Sequence, residues 1–176
     1  MKPPCSSLSI WITNGSARIR IEGRANCNAS VEFKTLIRRL HDHGHHHFIL
    51  DLEKCLLMDS TFLGVLAGLG QSFESTNHGT IQPVIELCNV NERINELLEN
   101  LGVNHLFKFS SPAPVPQQPA SQTQVLSGDT SRLELSRTSL EAHQTLMHLN
   151  PANIPKFKDV TLFLSEDLKR AESGEP

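Results

Sequence analysis

Apolar positions in the first part of the chain follow two spacings, every second residue over short runs and every third or fourth over longer ones. These are the signatures of strands and of helices. Leu8 to Thr13 and Ala17 to Ile21 flank Asn14-Gly15, a dipeptide that tolerates positive φ at both central positions of a type I′ turn, so a β-hairpin is predicted to open the fold. After a break from Gly23 to Asn28, Val31, Phe33, Leu36, Ile37 and Leu40 recur at helical spacing, with Asn28 or Ser30 as the expected cap. Phe48 to Leu52 and Pro83 to Cys88 read as strands buried on both faces and as central neighbours. Between them Phe62, Leu66, Leu69 and Phe73 form one stripe of a largely buried helix over Ser60 to Phe73. Asn91 to Leu101 supplies a third helix that stops at Gly102, and Val103 to Phe109 a last edge strand.

The order β-β-α-β-α-β-α-β predicts an α/β fold, a single sheet with helices packed against it. The pattern ends at SSPAPVPQQPASQTQ, Ser110 to Gln124, which has almost nothing to bury and reads as a linker. The expected organisation is a domain over 1–109, a Pro/Ser/Gln-rich linker over 110–136 and an amphipathic helical tail over 137–176. In the tail, Leu140, Leu146 and Met147 mark one helix ending near Asn150-Pro151. Phe157, Val160, Leu164 and Leu168 mark another with Pro155 in its first turn. Such stripes need cover, which folding back onto the domain or homodimer formation through the tail helices would provide; a docked partner is the less favoured way.

Charge and composition narrow the function. The formal charge of −3, from 16 Lys+Arg against 19 Asp+Glu, gives no broad field for nucleic acid or an anionic membrane. No run is apolar enough for a leader or a bilayer span, so membrane insertion is not expected and the chain reads as soluble and cytoplasmic. Cys5, Cys27, Cys55 and Cys88 lie far apart and are expected as reduced, mostly buried thiols. The His41 to His47 tract is rich in imidazole, but a helix-to-strand loop is a poor frame for fixed ligands, and neither a metal nor a cofactor is expected. Gly64, Gly68 and Gly70 lack the lysine and spacing of a phosphate-binding loop and are assigned to close helix-to-sheet packing. With no G-x-S-x-G elbow, no enzyme is expected.

The remaining chemistry sits in Cys55-Leu56-Leu57-Met58-Asp59-Ser60-Thr61-Phe62-Leu63-Gly64-Val65-Leu66, which passes from a strand through a tight turn into a helix. Asp59 or Ser60 can satisfy the free N–H groups at the helix start, where the helix dipole also favours negative charge. Phosphate on Ser60 would add about −1.5 to −2 charges there. Taken alone, the triplet Asp59-Ser60-Thr61 is an ordinary cap.

The whole string, Asp51-Leu52, then Met58-Asp59-Ser60-Thr61, then Leu63-Gly64-Val65-Leu66, resembles the signature of the STAS family, in particular its anti-sigma factor antagonist branch. The resemblance extends over residues 8 to 109 and implies a STAS-like mixed sheet with helices against it. It also implies that Ser60 is the phosphoacceptor of a partner serine kinase that doubles as anti-sigma factor, with a separate phosphatase to reset it. Asp59 would shape the acceptor turn, and Met58, Asp59, Thr61, Phe62, Leu63 and Gly64 would form the partner-binding surface. The Arg24-Ala25-Asn26 loop would lie beside the acceptor. Two positions depart from the family pattern. Phe62 stands where glycine is usual, which is expected to make the turn bulkier, and Asn26 brings no charge where an acidic residue is common. The competing reading is a non-switching STAS scaffold or subunit of a larger regulatory or transporter complex. Under the switching reading the Ser60 hydroxyl is expected to face solvent.

Overall fold

The structure, a computed structural model, describes residues 6–75, 83–111, 114, 122–125 and 130–173. Cys5 and much of the Ser110 to Gln124 stretch lie outside the described residues.

The predicted hairpin is present. Strands β1 (Ser7–Thr13) and β2 (Ser16–Ala25) pair antiparallel, from Thr13 opposite Ser16 to Ser7 opposite Glu22. Gly15 has φ +78° while Asn14 stays at negative φ, so the turn is not the type I′ expected from Asn-Gly. Helix α1 (Cys27–Asp42) begins earlier than its apolar spacing suggests, because Asn26, rather than Asn28 or Ser30, caps it by accepting the Ala29 N–H. Strand β3 (His47–Asp51) follows, and then β4 (Cys55–Met58), helix α2 (Ser60–Ser75), β5 (Val84–Cys88) and α3 (Glu92–Leu101). Asn91 caps α3, and Gly102 ends it in the left-handed conformation at φ +68°. The expected strand from Val103 is split into a 3₁₀ turn at Asn104–Leu106 and the short β6 (Lys108–Ser110).

The strands form one mixed sheet in the order β6-β5-β3-β2-β1-β7. β3 and β5 are parallel central neighbours, as expected. The strand leading into the Asp59 turn is a separate element of four residues, β4, which the predicted element order does not count. It pairs in parallel with Gly23–Ala25, where β2 shifts register after its pairing with β3 has ended. Leu8, Ile10, Ile19, Phe48, Leu50, Ile85 and Leu87 share the covered face. Phe48 to Leu52 is therefore not apolar on both faces: Asp51 points the other way, into a cluster with Arg18 and Arg20.

The chain beyond β6 departs from the expected linker and tail. Strand β7 (Gln122–Val125) adds to the outer edge of β1 inside the supposed linker. Helix α4 (Arg132–Leu149) starts before residue 137, because Ser131 Oγ accepts the Glu134 N–H at 3.2 Å. Helix α5 (Ile154–Ser173) follows a corner at Asn150-Pro151. The tail folds back: α4 lies against α2 and α1, α5 lies against α4, and Ala142 and Leu146 join the core. The corner satisfies the carbonyls left open at the end of α3. Asn153 Nδ2 donates to the carbonyls of Leu101 and Leu146, both at 2.9 Å, and Lys156 Nζ donates to that of Asn100 at 2.9 Å. A cation and an amide N–H at a helix C-terminus also suit its negative dipole end.

Candidate functional site

At the end of β4 the chain turns sharply and two helices begin side by side. Asp59 serves both. Its Oδ1 accepts the Phe62 N–H of α2 at 2.9 Å, and its Oδ2 accepts the Cys27 N–H of α1 at 2.7 Å. The Asp59 N–H in turn donates to the Ala25 carbonyl at 3.1 Å, which fixes the turn against β2. Of the two expected caps for α2, the structure selects Asp59 and leaves the Ser60 hydroxyl for another partner. Burial first, and the neighbouring Asp59 charge second, push the Cys27 thiol above its ordinary pKa.

That other partner is His143 of α4. Ser60 Oγ lies 2.8 Å from His143 Nε2, and His143 Nδ1 lies 2.8 Å from the Ser139 carbonyl oxygen. A carbonyl oxygen can only accept, so Nδ1 carries the ring proton. Nε2 of the neutral ring is then the acceptor, and the Ser60 hydroxyl donates to it. Burial lowers the His143 pKa, opposed by the Ser139 bond and the charge of Asp59, which favours this neutral form. The Phe157 ring packs against the imidazole at 4.9 Å between centroids. Ser60 is therefore half-buried and held by α4, not turned to solvent as the sequence reading expected.

The other predicted residues divide between core and seam. Met58, Phe62 and Leu63 are buried in the core, with Phe62 against Phe33 at 4.9 Å between ring centroids. Full burial of such a ring is worth about 2–3 kcal/mol, which keeps it inside. Phe62 thus points away from the turn and does not crowd Ser60. Thr61 and Gly64 lie at the seam with α4. Thr61 Oγ1 is 3.0 Å from Ser139 Oγ, and a Cβ on Gly64 would sit 2.5 Å from the Ala142 carbonyl oxygen. The contact that requires a glycine is with another helix, not with the sheet as expected. Asn26 is engaged as the α1 cap, while Arg24 is exposed beside the turn.

The sequence reading missed His143 because it followed the large residues Leu140, Leu146 and Met147. The face that meets α2 runs instead through Ser139, Ala142, His143 and Leu146, spaced i, i+3, i+4, i+7. That spacing was the available signal, hidden because three of the four are small or polar.

Away from this seam, Asp51 is enclosed by Asn89, Arg20 and Arg18, with Nδ2 and guanidinium donors at 2.7–2.9 Å. Burial pushes its pKa up, but these hydrogen bonds, with the Glu53 N–H, outweigh burial and bring it down to about 2. Among the described residues no three His, Cys, Asp or Glu side chains gather into a metal-binding group. The His41 ring packs on Phe73 at 5.2 Å, and His47 Nε2 lies 2.8 Å from the Glu86 carboxylate. No helix among the described residues is long and apolar enough to cross a membrane.

A mixed sheet with β1 antiparallel at its side, and an Asp-Ser turn leading into a buried helix, define a STAS-type α/β domain. Residues 10–113 match the STAS domain family, and the chain belongs to that family. Its fold is similar to that of an anti-sigma factor antagonist from Mycobacterium paratuberculosis (13% identity, 64% of this chain and 92% of that one, TM-score 0.51). It is likewise similar to a Thermotoga maritima protein described as a candidate anti-sigma factor antagonist (17% identity, 60% and 86%, TM-score 0.50). No curated protein matches the chain in sequence. Helices α4 and α5 lie beyond the stretch that matches the family.

Proposed function

We propose that this protein is a regulatory binding module of the anti-sigma factor antagonist kind, switched by phosphorylation of Ser60 by a partner serine kinase and reset by a phosphatase. The observation that carries this reading is the placement of Ser60. It is the first residue of α2, directly after an aspartate that braces the starts of two helices, in the Met58-Asp59-Ser60-Thr61 segment that resembles the family signature. Membership of the STAS family and the likeness to antagonist folds support it.

In the transfer, Ser60 Oγ forms a bond to the γ-phosphorus of ATP held by the kinase. The bond from that phosphorus to the bridging oxygen breaks, ADP leaves, and the hydroxyl proton passes to a base of the kinase or to water. The product carries extra negative charge at the positive end of the α2 dipole, next to the face that would meet a partner. Partner contact then comes from the exposed Arg24 and, once α4 is displaced, from Thr61 and Gly64 around Ser60, while Met58, Phe62 and Leu63 support the turn from within.

The test is incubation of the full-length protein with ATP and a serine kinase of the histidine-kinase-like ATPase type, followed by mapping of the modified residue. Label on Ser60 that disappears in Ser60→Ala, with loss of kinase binding on labelling, is expected. Label elsewhere, or none, overturns the reading. One observation favours the scaffold alternative: α5 leaves Leu162 and Phe163 about two-thirds exposed, at 62% and 67%. A stable oligomer of the full-length protein that is dispersed by Phe163→Glu, together with no phosphate uptake, would establish that reading instead.

A further inference from the structure

We infer that α4 is an internal occupant of a helix-docking groove on α2, and that docked α4 and phosphate on Ser60 exclude each other. The phosphate part rests on the proposed acceptor role of Ser60; the groove itself does not.

The exclusion follows from the contacts around Ser60. Its hydroxyl oxygen is already within hydrogen-bonding distance of His143 Nε2, at 2.8 Å, so the side facing α4 has no gap for a phosphorus and three more oxygens. The imidazole is held on two further sides, by the Nδ1 bond to Ser139 and by the Phe157 ring. It also presents a lone pair, not a proton, to the position the phosphate would take. Nor can α4 slide nearer or tilt inward at Gly64, where the two backbones already meet so closely that a Cβ would be 2.5 Å from the Ala142 carbonyl. Room for the modified serine is made by lifting α4.

The surface beneath α4 has the properties of a groove for a helix. Gly64 admits the backbone of a crossing helix, and at Gly68 the Thr145 side chain lies in ordinary contact range, 3.7 Å from the position of a Cβ. On one side Ser60 and Thr61 offer hydroxyls, matched in α4 by His143 and Ser139. On the other, Lys34 of α1 offers an ammonium, matched by Glu141 at 2.6 Å. A partner that takes this place presents a helical segment of the same chemistry: a small residue over Gly64, a hydrogen-bonding residue toward Ser60 and Thr61, and a carboxylate toward Lys34. Ala142, His143 and Glu141 show the pattern within the chain. Partner access and kinase access then share one requirement, release of the tail.

Two measurements on the full-length chain test this without the kinase. The first installs phosphoserine at position 60 during synthesis and follows amide hydrogen exchange. Exchange at least tenfold faster across residues 132–149, with β3 and β5 unchanged, is expected; α4 amides as protected as in the unmodified chain would refute the exclusion. Kinase labelling of Ser60 with α4 still protected would remove this inference and leave the proposed function standing. The second uses Ala142→Arg, which cannot seat over Gly64, and a fluorescent peptide of residues 131–150 as probe. The opened variant is expected to bind the peptide at least tenfold more tightly than the native chain. His143→Ala, a milder loosening, replaces Ala142→Arg should that variant not fold. An opened chain that ignores the peptide would dispose of the groove, and native chains shown by light scattering and cross-linking to exchange tails between copies would dispose of its internal occupancy.

Discussion

One carboxylate, that of Asp59, holds the first turns of α1 and α2 together, each through an N–H that would otherwise lack a partner. Loss of a helix cap costs about 0.5–2 kcal/mol, so Asp59→Ala, which removes the α2 cap and a further bond to the first turn of α1, is expected to lower stability by about 2 kcal/mol. Urea unfolding should report it, with Asp59→Asn recovering part of the loss; an unchanged midpoint for Asp59→Ala would mean that neither bond matters. Local residues of this kind were readable from sequence. Asn91, Gly102 and the Asp59-Ser60 pair follow rules that operate within a few positions. Asn26 was passed over because two other capping residues, Asn28 and Ser30, stood closer to the apolar stripe. The fate of the Ser60 hydroxyl was not readable, since its partner lies 83 positions away and nothing near Ser60 specifies it.

At the scale of elements, the seam between α2 and α4 is sensitive to proton concentration. Docking keeps His143 below its ordinary pKa, so the docked tail binds fewer protons than the released tail, in which the imidazole titrates near ~6.5. Docking is therefore fully supported above that value and weakens as pH falls below it. Asp59 is the charged group that bears on the ring, and it opposes the shift; Ser60, the Ser139 carbonyl and Phe157 complete the surroundings without charge. Hydrogen exchange in α4 is expected to be faster at pH 5.5 than at pH 7.5 after correction for the intrinsic rate, and His143→Gln should flatten the difference. Equal protection at both pH values would count against a titrating seam. Helix existence in the tail was legible from periodicity, whereas folding back over the domain was one of two covers, with self-association, between which the sequence did not choose. Its docking face was not, because close packing between backbones favours small residues, which a hydrophobic stripe does not register.

In the molecule as a whole, the sheet carries its charge on the face opposite the main core, where Asp51 joins β3 to β2 through Arg18 and Arg20 and to the end of β5 through Asn89. The Asp51 carboxyl is held near 2, below its value in an unfolded chain. Its contribution, on the order of 2 kcal/mol, is present above about pH 4 and lost as pH falls toward 2. Asp51→Asn should remove that part of the acid dependence, and an unaltered acid transition in the variant would assign it elsewhere. The parallel centre of the sheet was legible because Phe48–Leu52 and Pro83–Cys88 are short apolar runs. The outer strand β7 was not, since its residues Gln122–Val125 are mostly polar and gain their place by pairing with β1. That strand has a further effect on the tail. Val125, in β7, and Arg132, where α4 begins, are seven positions apart, at most about 25 Å of extended chain. A hairpin on so short a leash, once detached, still revisits its groove at an effective concentration on the order of millimolar. An outside helix must therefore outcompete a resident that never diffuses away, and a weak but tethered α4 can hold off a considerably tighter free rival.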